Sequence, residues 1–304
     1  MPIRLLLVAA CLGCGAGVSA EDDLGAWRAA RETRLRAENG WLALVGRFAL
    51  PPGANTIGTA ADSDILFPET LRGAGPERLG AVVVDPLAGT VTLEPSADAR
   101  FVDADGAVGG ARRLAVDEPD WVGIGRFRFQ VIERHGTHFL RLADNESPLR
   151  REFPGCSWYS PEDRFRVEAT FVAHPEGETL RLVDITGRAV DRPCAGHAEF
   201  RLEGRDLRLD AVGEEDGLFF VFRDGTSGDT TYGGGRFLTV EGRPADGATF
   251  VLDFNRAYNP PCAFSAHTTC PTPPPGNVLV PRVEAGERYP PVGAAPEDRG
   301  DDSP

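Results

Sequence analysis

The stretch from Asp224 to Cys270 constrains the fold of this chain most, because short apolar runs alternate there with turn residues. Leu218–Phe222, just before it, is brief and rich in aromatics, which predicts a buried strand. Further strands are predicted over 230–240 and 249–254. Gly233–Gly235 interrupts the first of these, which indicates a bulge or a close approach by a ligand or another backbone.

The rest of the chain repeats this pattern. Its 304 residues include 36 glycines and 25 prolines. Because glycine and proline interrupt regular secondary structure, this frequency favours many short strands over long helices. The formal net charge is −14. A nucleic-acid partner is therefore not expected, because phosphate backbones require a basic surface.

Residues 1–20 are typical of an export signal. Arg4 supplies the positive start, Leu5–Val18 is apolar and small, and Val18–Ala20 is a small-x-small cleavage site. In the alternative interpretation the segment is a lipoprotein signal, with Cys11 acylated as a lipid anchor. Both interpretations place the mature protein outside the cytoplasm, as a periplasmic or secreted protein. No membrane span is expected, since a spanning helix needs about 20 apolar residues.

The sequence pattern of residues 21–40 predicts an N-terminal helix. Apolar and long side chains recur every three or four residues between Asp22 and Glu38. Acidic residues begin it, where the helix dipole favours them, and Asn39–Gly40 ends it. We expect this helix to brace the sheets.

The sequence predicts that residues 41–150 form a first β unit. Leu50–Gly58 followed by Asp62–Pro68 resembles the opening of a forkhead-associated (FHA) β-sandwich. FHA domains bind phosphothreonine through an arginine after that glycine and a later Ser-x-x-His. Here Thr59 follows the glycine and the Ser-x-x-His is missing. The resemblance therefore implies an FHA-like sandwich fold without phosphopeptide binding.

The sequence predicts that residues 151–288 form a second β unit. Its segment D-x-T-S-G-x-x-T-Y-x-x-G-R-F-L, followed by D-F-N-x-A-Y-N-P-P-C, resembles the DUF1684 family, bacterial proteins of unknown function. Other segments resemble the family as well: Gly40–Leu42, Leu44–Gly46, Arg141–Asp144, Glu146–Pro148, Cys270–Pro271, Pro273–Pro274, Asn277 and Ala285–Glu287. The resemblance runs from about Leu24 to Arg288 and implies no particular activity.

Together these features predict an all-β protein. It would consist of an N-terminal helix, an FHA-like β-sandwich, and a second antiparallel sandwich or barrel-like unit, packed as one body. Residues 289–304 are acidic and poor in apolar side chains, so we expect a disordered tail.

A dense set of polar residues beside the glycine run is the candidate ligand site. Its members are Asp224, Thr226, Ser227, Thr231, Tyr232, Arg236, Asp253, Asn255, Arg256, Tyr258 and Asn259. In a structural interpretation, Asp224 and Ser227 cap a turn, Arg236 pairs with Asp253 across strands, and the asparagines pin the loop. In a functional interpretation, Arg236 or Arg256 holds an anionic group in a small pocket, where Tyr232, Tyr258 and Asn255 orient it.

Four cysteines remain after removal of the signal, an even number that favours disulfides in an exported protein. Cys262 and Cys270 are expected to close a small loop, and Cys156 could pair with Cys194. One alternative is a metal site at Cys262, His267 and Cys270, although zinc would need a fourth ligand. Another is a Cys262 nucleophile with His267 as its base.

The leading functional prediction is an exported DUF1684-like protein that binds a small ligand near residues 224–262. One alternative is an enzyme of the hydrolase or lyase type, using Asp224, Tyr232, Asp253 or Cys262. Another is a structural or interaction module. The sequence contains no phosphate-binding loop, metalloprotease or hydrolase motif, so no cofactor is expected. The oligomeric state is left open.

Overall fold

The computed structural model describes residues 20–71, 75–116 and 120–290, with side chains from Asp23 onward. Nearly all of the predicted export signal, including Cys11, and residues 291–304 of the predicted tail lie outside the described residues. No helix in the described part of the chain is long and apolar enough to cross a bilayer.

Of the residues that the structure describes, 45% lie in strands and 14% in helices, which confirms the all-β prediction. The helices are α1 (Ala20–Arg36) and α2 (Pro148–Arg151). The strands are β1 (Leu44–Leu50), β2 (Gly53–Gly58), β3 (Ile65–Leu66), β4 (Arg78–Asp85), β5 (Thr90–Pro95), β6 (Val102–Asp103), β7 (Gly106–Ala107), β8 (Arg112–Leu114), β9 (Val122–Ile124), β10 (Phe127–Arg134), β11 (Thr137–Asp144), β12 (Arg166–Ala173), β13 (Thr179–Asp184), β14 (Ala189–Leu202), β15 (Arg205–Glu214), β16 (Gly217–Phe222), β17 (Arg236–Glu241), β18 (Thr249–Asp253) and β19 (Pro271–Thr272).

Two sheets form the first half of the chain. One has the strand order β1-β11-β10-β9-β6-β7, and the other has the order β3-β2-β4-β5-β8. Alternate residues of β4 and β5, such as Val82 and Leu93, point into the same apolar core as Phe129 of β10 and Leu140 of β11. Because the strands alternate in this way, each sheet presents one apolar face to the other.

The second half is built on an eight-stranded sheet that curls into a half-barrel. Its main path is β17-β16-β15-β14-β12-β18, and β13 and β19 extend it from β14. Phe171, Phe200, Phe220 and Phe222 fill the inside of the curl. The chain from Leu279 to Ala285 packs into the same core. This segment is therefore part of the core of the half-barrel although it contains no strand.

Helix α1 packs across the half-barrel, as the side-chain spacing predicted. Leu24, Arg31 and Leu35 are its buried side chains. The Nε of Arg31 donates to the carboxylate of Glu287 at 2.6 Å, and its Nη2 donates to the Asn259 carbonyl at 2.8 Å. The helix is thus joined to two segments more than 200 residues away.

The segment 224–235 differs from its prediction. Residues 230–232 do not begin a strand. They close a turn in which the carbonyl of Thr226 accepts from the N–H groups of residues 229, 230 and 231. The strand begins only at Arg236. Gly235 precedes it with φ +106°, and a Cβ there would lie 2.6 Å from Cγ of Pro273, so this glycine allows the close approach that the glycine run predicted.

Candidate functional site

A cavity of about 830 Å³ lies between α1 and the two ends of the curled sheet. The ends are β17 and β18, which are the first and last strands of the main path. They line one cavity because the sheet curls. The lining from the helix side is Asp23, Leu24, Trp27, Arg31, Arg34, Leu35 and Trp41. The lining from the sheet and its loops is Pro161–Asp163, Arg166, Phe219, Phe237–Glu241, Val251, Asp253, Asn255, Arg256, Tyr258, Pro261 and Phe264.

An aromatic wall runs along one side of the cavity. The ring of Trp27 lies 6.2 Å from that of Tyr258, and Phe237 lies 5.8 Å from Tyr258. Phe219 meets Phe237 edge to face at 4.8 Å. The Arg31 guanidinium lies 4.6 Å from the centre of the Tyr258 ring on the helix side. Aromatic pairs at these spacings attract one another, so the wall is preorganised.

Charged groups surround the aromatic wall. Arg256 is paired with Asp23 of the helix. Arg166 lies 3.9 Å from one oxygen of Asp253, and the other oxygen accepts from the backbone and side-chain N–H groups of Asn255 at 3.0 and 2.9 Å. The exposed guanidinium of Arg34 has no hydrogen bond or ion pair with the residues that the structure describes. Arg34 is therefore the cation with most freedom to meet a ligand.

The structure divides the eleven predicted site residues into two groups. Four of them line the cavity: Asp253, Asn255, Arg256 and Tyr258. The other seven do not: Asp224, Thr226, Ser227, Thr231, Tyr232, Arg236 and Asn259. Tyr232 packs against Tyr289 at 5.2 Å, and the amide of Asn259 donates to the Arg288 carbonyl at 3.0 Å.

A fully enclosed ion pair organises the second group. Nη1 of Arg236 donates to Asp224 at 2.9 Å, and neither side chain is exposed. The same guanidinium donates to the carbonyls of Val283 and Ala285. The second carboxylate oxygen of Asp224 accepts from the N–H and hydroxyl of Thr226 at 2.7 and 2.6 Å. This network joins the turn, β17 and the 279–285 segment.

The predicted pairing of Arg236 with Asp253 is wrong. Arg236 begins β17 and Asp253 ends β18, and the sheet places these strands at its opposite ends rather than side by side. The turn prediction for Asp224 and Ser227 fits the structure, since the Ser227 hydroxyl accepts from the Asp224 N–H at 3.2 Å.

Two of the four cysteines are joined. A disulfide links Cys262 and Cys270, so the Cys262 sulfur is not available as a nucleophile. Among the described residues, no group of three or more histidine, cysteine or acidic side chains could hold a metal ion.

The predicted pairing of Cys156 with Cys194 is wrong, because both are free thiols. Cys156 packs against the helix side of the cluster around Phe153 and Phe264. Cys194 lies on β14, where its sulfur is 3.4 Å from Nδ1 of His174. The two thiols belong to separate parts of the fold.

Several cavity residues were not predicted as site residues. Trp27, Arg34 and Phe237 are the most prominent of them. The helical spacing places Trp27 and Leu35 on one face with Arg31 and Arg34, and this mixture of aromatic and cationic side chains was the available signal. By itself, the spacing predicts only a face that packs against the sheets.

The architecture and cavity define an all-β protein with a helix-covered half-barrel. Residues 151–288 match the family described as "Protein of unknown function (DUF1684)". The solution NMR structure of an uncharacterized protein from Haloarcula marismortui is 37% identical, over 47% of this chain and 80% of that chain, with a TM-score of 0.41. No curated protein matches. Residues 151–288 therefore belong to the DUF1684 family.

Proposed function

We propose that this protein binds a small amphipathic molecule in the cavity beneath α1. The observation that carries the proposal is the cavity itself. Its volume of about 830 Å³ falls within the roughly 300–1,000 Å³ of small-molecule sites. Such sites combine apolar and aromatic walls with a few placed polar groups, and the aromatic wall and charged surroundings provide both.

The proposed ligand has an apolar or aromatic body and an anionic group. The body would lie against Trp27, Phe237 and Tyr258. The anionic group would meet Arg34, because the cations Arg31 and Arg256 already have carboxylate partners. A guanidinium binds carboxylate and phosphate groups through paired N–H donors.

The positions of the proposed catalytic residues give little support to the enzyme alternative. Of its four proposed residues, Cys262 is in the disulfide, and Asp224 is enclosed with Arg236. Asp253 is the one that lines the cavity. Both oxygens of Asp253 are already engaged, one by the N–H groups of Asn255 and the other by Arg166, so binding is the better-supported function.

We also propose that the mature protein is exported and that its β units span residues 41–150 and 151–288. The export signal predicted from the sequence and the disulfide support the first statement. Separate apolar cores in the two halves support the second. The FHA resemblance of the first unit is proposed for its fold alone, because Thr59 stands where phosphothreonine recognition requires arginine.

Isothermal titration calorimetry tests the charge of the ligand. A library of aromatic acids would be compared with neutral and cationic isosteres. We expect acids to bind best, and Arg34→Gln to weaken them about tenfold, which corresponds to about 1.4 kcal/mol. Arg205→Gln is the control, because Arg205 is also exposed but does not line the cavity. Equal affinity for acids and isosteres, or equal loss in both variants, would contradict the proposed ligand class.

A further inference from the structure

A buried arginine lies on the outer face of the six-stranded sheet. Arg141 of β11 stands opposite Arg47 of β1 and Gln130 of β10, so these three side chains form one row across the sheet. Arg141 is only 6% exposed. Its Nε atom is fully enclosed without an acceptor, and its guanidinium has no hydrogen bond or ion pair within the described ranges.

The surroundings of Arg141 are positive. Burial, followed by the charges of Arg134 and Arg47, lowers the pKa of Arg141 to about 10. Arg47 has no ion pair with a described residue either, and its guanidinium lies 5.4 Å from the centre of the Phe139 ring. Burial and then the charge of Arg47 lower the pKa of His267, which follows the disulfide-linked Cys262 in the chain. Positive charge is therefore concentrated at this face of the sheet.

The contacts of Arg141 leave its charge without compensation. Its guanidinium lies 5.2 Å from the centre of the Trp41 ring, and such stacking replaces only part of the hydration that burial removes. A buried charge is costly unless it is paired and hydrogen-bonded. Other buried arginines of this protein meet that condition, since Arg31 has Glu287 and Arg236 has Asp224.

We propose that Arg141 and Arg47, together with the Gln130 amide, bind a small oxyanion on the outer face of the six-stranded sheet beside Trp41. The guanidinium fork offers N–H donors in a plane that matches carboxylate, phosphate and sulfate oxygens. The Gln130 amide can add one donor, and the row across three strands holds the donors in place. This site is distinct from the cavity under α1, although Trp41 contacts Arg141 and also lines that cavity.

Calorimetry of the full mature chain with inorganic phosphate, sulfate and acetate at constant ionic strength tests this site. The wild type should show saturable binding. Arg47→Gln should weaken it at least about tenfold, and Arg141→Met should abolish it. Arg113→Gln, an exposed arginine on β8, should leave it unchanged. Preference for phosphate and sulfate would assign the site to tetrahedral anions, and preference for acetate would assign it to carboxylates.

A second measurement keeps the test decisive if Arg141→Met does not fold. The assigned Nε–H signal of Arg141 in a ¹H–¹⁵N spectrum of the wild type should move on addition of the bound anion, and the same titration of Arg47→Gln should require a higher concentration. The proposal is overturned if the wild type shows no saturable binding and the signal does not move. It is also overturned if Arg113→Gln loses as much affinity as Arg47→Gln.

Discussion

Replacing Arg236 with alanine separates a structural role from a ligand-binding role. The Arg236 guanidinium is fully enclosed with Asp224 and donates to two backbone carbonyls. Removing it leaves an enclosed carboxylate without its cation. Breaking such a buried pair on one side costs about 3–5 kcal/mol. At about 2–4 °C for each kcal/mol in a protein of this size, the midpoint of thermal unfolding should fall by roughly 6–20 °C.

Urea unfolding followed by circular dichroism measures this cost, with calorimetry for the unfolding midpoint. The control is Arg256→Ala, because the Arg256–Asp23 pair is partly exposed and such pairs contribute at most about 1 kcal/mol. The double variant Arg236→Met with Asp224→Asn should recover part of the lost stability, since it buries no unpaired charge. If Arg236→Ala unfolds within about 1 kcal/mol of the wild type, the enclosed pair does not stabilise the fold and the reasoning fails.

Two further predictions concern thiols and pH. Alkylation of the denatured chain from Glu21 onward, without reduction, should label Cys156 and Cys194 only, as counted by intact mass, because Cys262 and Cys270 form the disulfide. Labelling at Cys262 or Cys270 would refute the linkage. Burial raises the pKa of Asp184, but hydrogen bonds from the following turn outweigh burial, so the pKa in the folded protein is lowered. Ionised Asp184 therefore contributes its full stabilisation of the fold above the ordinary pKa of about 3.9. This stabilisation is lost as the pH falls through the lower pKa of the folded protein. Asp184→Asn should therefore show a shallower loss of stability in acid when followed by urea unfolding, and identical slopes would contradict this.

The elements of the fold were largely predictable from local sequence patterns. The apolar run at Leu218–Phe222 forms β16, and the predicted strand at 249–254 forms β18 (Thr249–Asp253). The predicted helix between Asp22 and Glu38 corresponds to α1, two residues earlier at each end. Periodicity succeeds here because the side chains of one strand or helix face a single core.

The partners of charged residues were not predictable in this way. Arg236 could pair with any nearby acid until the strand order of the sheet is known, and that order separates it from Asp253. The contacts that build the candidate site could not be predicted from local patterns either. Asp23 and Arg256 meet at the cavity although 233 positions separate them, and no local pattern encodes such a contact. Four residues of the predicted set line the cavity. The lining residues of α1 were not predicted as site residues, because tertiary packing places the helix over the cavity.

The most direct test of the cavity as a binding site is ligand-observed NMR with a small-molecule library and two matched variants. Val251→Trp places an indole in the cavity lining, and Val278→Trp places one at an exposed position outside it. We predict that ligands found with the wild type bind Val278→Trp equally and lose their signals with Val251→Trp. Ligands that bind both variants alike, or a library without any ligand, would contradict the assignment of this cavity as the binding site.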